Sequence, residues 1–252
     1  MWVGQFAVTL TVTGLAFLTD GFRKLRAVSI GVLTVLLTRL YFEVGAPDTV
    51  LGIEIVSPWS TVLDESIQLL IALGALVVLF RLGYRRSDLF MRAGSPSRSC
   101  EPIWVVGLRT ERSWYRAGVA VGVLLLGPLV LFLLAGGATY EFGTYPPTEL
   151  AVLVPVILVV AAMNAFTEEA IFRAIPAAEL TGAVGKSAAL FLMSAFFGLA
   201  HYYGTPGGPL GVLMTGFLAW MLAKSMLETR GIAVAFVIHW LLDIAIIAAF
   251  LT

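Results

Sequence analysis

Long apolar runs separated by short polar joints dominate the chain. The runs lack the strict alternation of apolar and polar residues that barrel strands require, and their lengths approach the about 20 residues with which a helix crosses a bilayer. The pattern therefore predicts an all-α, polytopic membrane protein. Eight transmembrane helices are expected, at Trp2–Thr19, Ala27–Tyr41, Ser66–Phe80, Ala117–Gly136, Leu150–Phe172, Ser187–Ala200, Leu210–Met226 and Ile232–Leu251.

The composition agrees with that interpretation. Of 252 residues, 59% are hydrophobic and only 13% are charged, whereas charged residues make up about a quarter of a typical soluble domain. The 16 basic and 16 acidic residues give a net charge of zero, so no overall field attracts nucleic acid. We expect an integral protein of the cell membrane, with the lipid bilayer as a partner and no nucleic-acid partner.

The charged residues between the runs alternate in sign along the chain. The second joint carries only acidic residues, at Glu43, Asp48, Glu54, Asp64 and Glu65, and the fourth carries only Glu141 and Glu149. The first, third, fifth and seventh joints carry Arg23, Lys24 and Arg26, then seven arginines from Arg85 to Arg116, then Lys186, then Lys224 and Arg230. Because cytoplasmic loops are rich in Lys and Arg, the odd joints are predicted to be cytoplasmic and both termini to face outward.

The stretch 81–116 is the longest polar segment. Its arginines favour a solvated cytoplasmic loop held close to anionic headgroups. A site for docking a partner protein is the alternative.

The second half of the chain places ionisable residues inside or beside its apolar runs. A charge in the middle of a bilayer costs about 2.5–3.5 kcal/mol on insertion scales, so such residues usually pair or line a functional cavity. In the first half the clear case is Arg39, four residues before Glu43, and pairing accounts for it. We therefore divide the chain into N-terminal helices 1–4 at 1–147 and a four-helix core at 148–252 that carries the candidate site.

Two neighbouring carboxylates in the fifth run are predicted to have different partners. On a helix Glu169 and Arg173 are four positions apart and share a face, whereas Glu168 is turned by about 100°. An ion pair then neutralises Glu169 and leaves Glu168 available as a general base. The alternative is that the pair only holds helices together.

Glu168 and His201 are equidistant from the joint at 181–186. If this joint turns one helix back against the next, the two residues lie at equal depth. This expectation requires the fifth helix to continue past Pro176, and we expect the pair to be reached from the cytoplasmic side.

The two histidines of the chain both lie in helical i, i+4 patterns. His201 follows Phe197, and Asp243 follows His239. A histidine in a membrane is often a hydrogen-bonded packing residue. Two of them beside carboxylates instead favour a reactive site.

These motifs, in this order on successive apolar helices, resemble the CAAX protease and bacteriocin-processing (CPBP, or Abi) family over residues 148–252. That family comprises intramembrane endopeptidases, including the enzymes that remove the last three residues of prenylated CAAX proteins. The resemblance implies that Glu168 activates water and that His201 helps to hold it. It also implies that Glu169 and Arg173 form the partner pair, and that His239 with Asp243 steadies the tetrahedral oxyanion. The expected substrate is a membrane-associated peptide or protein.

Several alternatives stay open at this stage. Zn²⁺ bound by His201, His239 and a carboxylate such as Glu168 would make the protein a metalloprotease. Family members carry Asn or a carboxylate at position 243, and an ionised Asp243 cannot itself donate to an oxyanion. It would orient His239, be protonated or bind metal.

Two other classes of protein also fit the chain. One is a non-catalytic CPBP-like scaffold or immunity protein, and the other is a proton-coupled transporter. The sequence lacks a His-Glu-x-x-His zinc motif, a Gly-x-Ser-x-Gly serine motif and a second aspartate within an apolar run, which disfavours other intramembrane proteases.

Overall fold

The computed structural model describes residues 2–44, 49–50, 53–54, 57–137, 147–204 and 207–251, and most of these are helical. The α-helices in this part of the chain are α1 Trp2–Leu18, α2 Arg26–Val44, α3 Trp59–Arg81, α4 Trp114–Phe132, α5 Pro147–Glu169, α6 Ile175–Val184, α7 Lys186–Ala200, α8 Gly208–Thr229 and α9 Ala233–Leu251. Two short antiparallel hairpins join β1 (Thr49–Val50) to β2 (Ile53–Glu54) and β3 (Ser99–Cys100) to β4 (Arg112–Ser113).

The helices match the apolar runs of the sequence. Among the described residues, five helical segments are long and apolar enough to cross a membrane, at Arg26–Val44, Trp59–Arg81, Trp114–Ala135, Thr148–Val184 and Gly208–Thr229. Three shorter apolar helices accompany them, at Ala7–Leu18, Lys186–Ala200 and Ala233–Ala249. The prediction of an all-α polytopic membrane protein is confirmed.

Helix α3 begins earlier than the sequence predicted. It starts at Trp59, directly after Pro58, so Asp64 and Glu65 lie inside the helix and not in an acidic joint. The boundary at Ser66 was wrong because it was placed after the last acidic residue. Proline favours the first positions of a helix, and Pro58 was the available signal for the earlier start.

A π-helical turn carries the chain from α5 into α6. Residues Ala170–Ala174 form this turn, in which the N–H of Ile175 donates to the carbonyl of Ala170, five residues earlier. Pro176 has no N–H to offer and its ring would collide with a carbonyl four residues earlier in a regular helix. The wider π turn accommodates the proline. The helix therefore continues past Pro176, as the predicted contact between Glu168 and His201 requires.

The stretch between α3 and α4 is a folded element and not only a loop, although its arginines from Arg85 to Arg116 are exposed as predicted. It contains the hairpin β3/β4 and a 3₁₀ turn at Trp104–Val106. Leu89, Phe90, Cys100 and Ile103 are buried, and three of them belong to a hydrophobic cluster that includes residues of α4, α7, α8 and α9. The sequence signal for this folded element was the presence of these apolar residues between the seven arginines.

The basic joints meet at one end of the helix bundle. A carboxylate oxygen of Glu179 on α6 accepts hydrogen bonds from the first backbone N–H groups of α2, at Ala27 (2.9 Å) and Val28 (3.3 Å). The hydroxyl of Tyr84, just after α3, also donates to Glu179. A carboxylate at a helix N-terminus satisfies free donors and opposes the helix dipole. We call this end, which also holds Lys186 and the hairpin β3/β4, the basic end.

Helices α7 and α8 approach each other closely near the other end of α7. A Cβ atom added at Gly198 would lie 2.6 Å from the carbonyl oxygen of Val212 and 3.2 Å from the Cα of Gly216. Small residues allow such backbone contact between membrane helices. The contact fixes the C-terminal turn of α7, which leads into His201.

The contact between Gly94 and the α8–α9 joint gives a stability prediction. Gly94 has φ of +79°, and a Cβ there would lie 2.9 Å from backbone atoms of Gly231 and Thr229. Gly94→Ala should destabilise the protein by about 1–3 kcal/mol through backbone strain, and by more through the collision. Thermal unfolding of the detergent-solubilised protein measures this loss. Gly83→Ala, with φ of +94° and open space around its Cβ, isolates the strain alone. Equal losses in the two variants would contradict the proposed collision.

Candidate active site

A buried carboxylate, Glu169, joins two helices at the centre of the site. Its Oε1 accepts a hydrogen bond of 2.7 Å from Nη1 of Arg173 and lies 2.8 Å from Nδ1 of His239 on α9. The side chains of Glu169 and Arg173 have no exposed surface. The predicted ion pair between these two residues is therefore present, and the same oxygen also orients the imidazole of His239.

The guanidinium of Arg173 stacks on an aromatic ring. Its central carbon lies 4.3 Å from the ring centroid of Phe197, and its Nε and Nη2 have no hydrogen-bond partner among the described residues. A cation over an aromatic face is stabilised by the ring quadrupole. Phe197 also contacts the ring of His201, with centroids 4.3 Å apart, so it separates the ion pair from the cavity.

Glu168 lies between the two histidines. Its Oε1 is 4.0 Å from Nε2 of His201, and its Oε2 is 3.4 Å from Nε2 of His239. The side chain of Glu168 is 19% exposed and that of His201 is 30% exposed. The two residues that the sequence predicted at equal depth therefore face each other, and both remain open to small molecules.

The outer nitrogen of each histidine is free to face Glu168 because the other nitrogen is already engaged. Nδ1 of His201 lies 2.9 Å from the carbonyl oxygen of Phe197, and Nδ1 of His239 is held by Glu169. Asp243 lies one turn after His239, with Oδ1 3.6 Å from Nε2 of that ring, while its Oδ2 accepts a hydrogen bond of 3.1 Å from Asn164. This arrangement supports an orienting role for Asp243.

A cavity of about 210 Å³ opens beside Glu168 and His201. Helix α2 contributes Thr38, Arg39 and Phe42 to its wall. Polar and aromatic groups therefore line the cavity together, as is usual for pockets that bind organic ligands.

Three of the surrounding polar residues were not predicted from sequence as site residues. Glu65 on α3 interacts electrostatically with Glu168 and Asp243 and with the side chain of Gln68, and its Oε2 has no hydrogen-bond partner within the described part of the chain. Gln68 and Arg39 line the cavity. Arg39 also lies 3.8 Å from Glu43, as its spacing predicted. Only the correct start of α3 would have revealed Glu65 as an intramembrane carboxylate.

Most of the cavity wall lies away from the basic end, whereas His239, only six residues after the start of α9, lies nearer to that end. The expected access from the cytoplasmic side stays a prediction. Glu168 lies about 15 residues before Val184, and His201 lies about 15 residues after Lys186. At about 1.5 Å per residue, each is about 22 Å from the α6–α7 joint along its helix. The residues of α2 in the cavity wall likewise belong to its second half, away from Arg26. Symmetry about the joint predicted equal depth correctly but did not fix how deep the pair lies.

The side chains do not form a metal centre in this arrangement. Among the described residues, no group of three or more His, Cys, Asp or Glu side chains is placed to hold a metal ion. The inward nitrogens of both histidines are used by Glu169 and by the carbonyl of Phe197, and the two outer nitrogens face different oxygens of Glu168. The geometry of the described residues gives no support to the zinc alternative.

The eight apolar helical segments of the described residues, with a cluster of acids and histidines between them, define a helical membrane protein with a polar interior site. Residues 150–245 match the family model described as "Type II CAAX prenyl endopeptidase Rce1-like". The match covers less than half of the chain, and it agrees with the resemblance seen in the three motifs. No curated protein and no solved structure gives a significant match to the chain.

Burial of the Glu169–Arg173 pair gives a second stability prediction. Arg173→Gln leaves Glu169 ionised without its main partner and should cost about 3–5 kcal/mol of unfolding free energy. The double variant Glu169→Gln/Arg173→Gln should recover much of that loss, because no uncompensated charge remains. Thermal unfolding in detergent measures both.

The control uses the other Arg–Glu pair at the same helical spacing. Arg39→Gln breaks a pair whose side chains are 42% and 50% exposed, and it should cost only about 0–1 kcal/mol. A double variant no more stable than Arg173→Gln would show that the uncompensated charge is not the cause of the loss.

Proposed function

We propose that the protein is an intramembrane endopeptidase of the CAAX-protease type, which cleaves a membrane-associated peptide or protein by attack of an activated water. The observation that carries the proposal is the position of Glu168 between His201 and His239, beside a cavity, while the neighbouring carboxylate Glu169 is already neutralised. The proposed substrates include prenylated polypeptides.

Glu168 and His201 are spaced to hold one water molecule. Their nearest atoms are 4.0 Å apart, too far for a direct hydrogen bond, whereas a water about 2.8 Å from each can bridge them. In the proposed reaction Glu168 takes a proton from this water. At the same time the oxygen of the water forms a bond to the scissile carbonyl carbon. The proton then passes from Glu168 to the leaving nitrogen as the C–N bond breaks.

His239 is the proposed donor to the developing oxyanion. Glu169 fixes the ring through Nδ1, so Nε2 points towards Glu168 and the cavity side. A donor held in place before the reaction stabilises the transition state without reorganisation. Because Nδ1–H of His239 donates to Glu169, Nε2 can donate only when the ring is an imidazolium. Asp243, itself held by Asn164, is a positioning residue that orients this protonated ring.

The proposal also assigns a role to each of the two parts of the chain and an orientation to the protein in the membrane. Residues 148–252 supply the catalytic groups, and residues 1–147 complete the cavity through α2 and α3. The positive-inside rule assigns the basic end to the cytoplasm and both termini to the opposite side. The cavity then opens nearer to the non-cytoplasmic face.

Glu168→Gln is the direct test of catalysis. The amide keeps the shape of the side chain but cannot accept a proton from water, so turnover should fall by about 10²–10⁴-fold while substrate affinity remains. Membrane proteomes from cells with wild-type protein and with Glu168→Gln are compared for fragments that appear only with the former. Glu149→Gln, in the first turn of the same helix, is the matched control and should retain turnover.

Two other results would identify the rival functions. An unchanged set of fragments would remove the catalytic proposal in favour of a scaffold. In a separate transport assay, uptake driven by a proton gradient would indicate a transporter. Once a cleaved protein is known, the assay is repeated after chelation. Full activity is expected, and loss that Zn²⁺ restores would overturn the metal-free reaction.

Labelling of single cysteines tests the orientation. Cys100, the one cysteine of the sequence, is first replaced by serine. Tyr203→Cys, at a side chain that is 84% exposed after α7, should react with a membrane-impermeant maleimide in right-side-out vesicles. Arg109→Cys, exposed between α3 and α4, should react only after permeabilisation. The reverse pattern would place the cavity nearer to the cytoplasm.

A further inference from the structure

A second pocket, remote from the cavity at Glu168, lies at the basic end. It has a volume of about 360 Å³ and is enclosed by the stretch between α3 and α4, the end of α6, the start of α7 and the end of α8. Three basic side chains line it, from Arg98, Lys186 and Arg230. Phe90 and Leu227 add apolar surface. We call it the basic pocket.

The acidic residues of this region are already paired with lysines. Glu228 accepts from Lys186 (2.9 Å) and from Lys224 through one oxygen, and from the indole of Trp114 (3.0 Å) through the other. Glu101 binds the same two lysines, at 2.7 and 3.3 Å. Two acids and two lysines therefore form a neutral group of four.

Glu101 remains ionised under all ordinary conditions. The hydrogen bond from Lys186, together with the nearby charge of Lys224, lowers the pKa of Glu101 to about 2. Because the acid is charged at neutral pH, it holds the lysines and does not release them to a ligand.

The two arginines are the remaining charges of the basic pocket. Arg98 and Arg230 are exposed, and neither has a carboxylate within ion-pair distance among the described residues. Glu111, which does not line the pocket, accepts a hydrogen bond of 2.7 Å from Ser99, which does. The pocket thus has an excess of positive charge from side chains that are shaped to bind oxyanions through paired N–H groups.

The position of the pocket favours a ligand from the membrane. It lies where α7 begins and α8 ends, level with the end of a membrane-spanning helix and next to apolar side chains. Phosphate groups of phospholipids occupy this level of a bilayer, and basic pockets between helices on the cytoplasmic side bind anionic headgroups.

We propose that the basic pocket binds the phosphate group of an anionic phospholipid through Arg98 and Arg230. The bound headgroup would link the hairpin β3/β4, which follows Arg98, to the α8–α9 joint at Arg230. It would thereby stabilise the contact that Gly94 already makes with Gly231. The proposal is independent of peptide hydrolysis at Glu168.

Titration of the purified full-length protein in a neutral detergent tests the site. Short-chain phosphatidylglycerol, diluted into the micelles, should raise Tm in a saturable way, whereas phosphatidylcholine should not. Arg98→Gln/Arg230→Gln should weaken this binding by about 25-fold, since each basic residue near an anionic group contributes about five-fold. Arg85→Gln/Arg109→Gln removes two arginines of the same stretch that do not line the pocket and should bind as the wild type does.

Each remaining outcome counts against the proposal. Equal weakening in both double variants would mean general attraction to basic residues, and the absence of saturable binding would remove the site. Inorganic phosphate that raises Tm as strongly as the lipid would identify a soluble ligand instead. If the double variant fails to fold, Arg98→Lys/Arg230→Lys, which keeps the charge, should still lose several-fold in affinity because paired N–H donors are lost.

Discussion

The site depends on one buried carboxylate with two partners. Glu169 accepts from Arg173 on its own helix and from His239 on α9, so a single oxygen sets both the charge balance of the interior and the direction of an imidazole. The arginine in turn stacks on Phe197 of α7. Three helices are thus held in register by polar contacts that would each be unfavourable alone in an apolar interior.

The neutralisation of Glu169 leaves its neighbour Glu168 to different chemistry. Two adjacent carboxylates on a regular helix point in different directions, and here one faces the protein interior while the other faces a cavity. The π turn that follows them keeps the helix continuous past Pro176. Position in the turn, and not residue type, therefore separates the structural acid from the proposed base.

The sequence predicted well what depends on helical periodicity. The spacing of Glu169 and Arg173 predicted their ion pair, and the symmetric distances of Glu168 and His201 from the α6–α7 joint predicted that they meet. Pairing of Arg39 with Glu43 followed from the same i, i+4 rule. These contacts need only the rise and turn of a helix, which are nearly the same in every protein.

Features that depend on packing between distant parts of the chain were not predictable in this way. Glu65 lies at the site because α3 starts at Trp59 and packs against α5. The stretch after α3 folds because its few apolar residues pack against α8. The position of the cavity along the helix bundle was likewise not predictable, since symmetry fixes a difference in height and not a height. Each of these depends on how whole helices pack, which a local pattern does not contain.

The shortness of α7 has a consequence for the surrounding lipid. At 15 residues it rises about 22 Å, whereas the hydrocarbon core of a bilayer is about 30 Å thick. A helix with such hydrophobic mismatch is accommodated by thinning of the adjacent leaflet. The headgroup layer and its water would then dip towards the end of α7, where His201 lies, so the membrane itself would bring water to a residue that the linear sequence places within an apolar region.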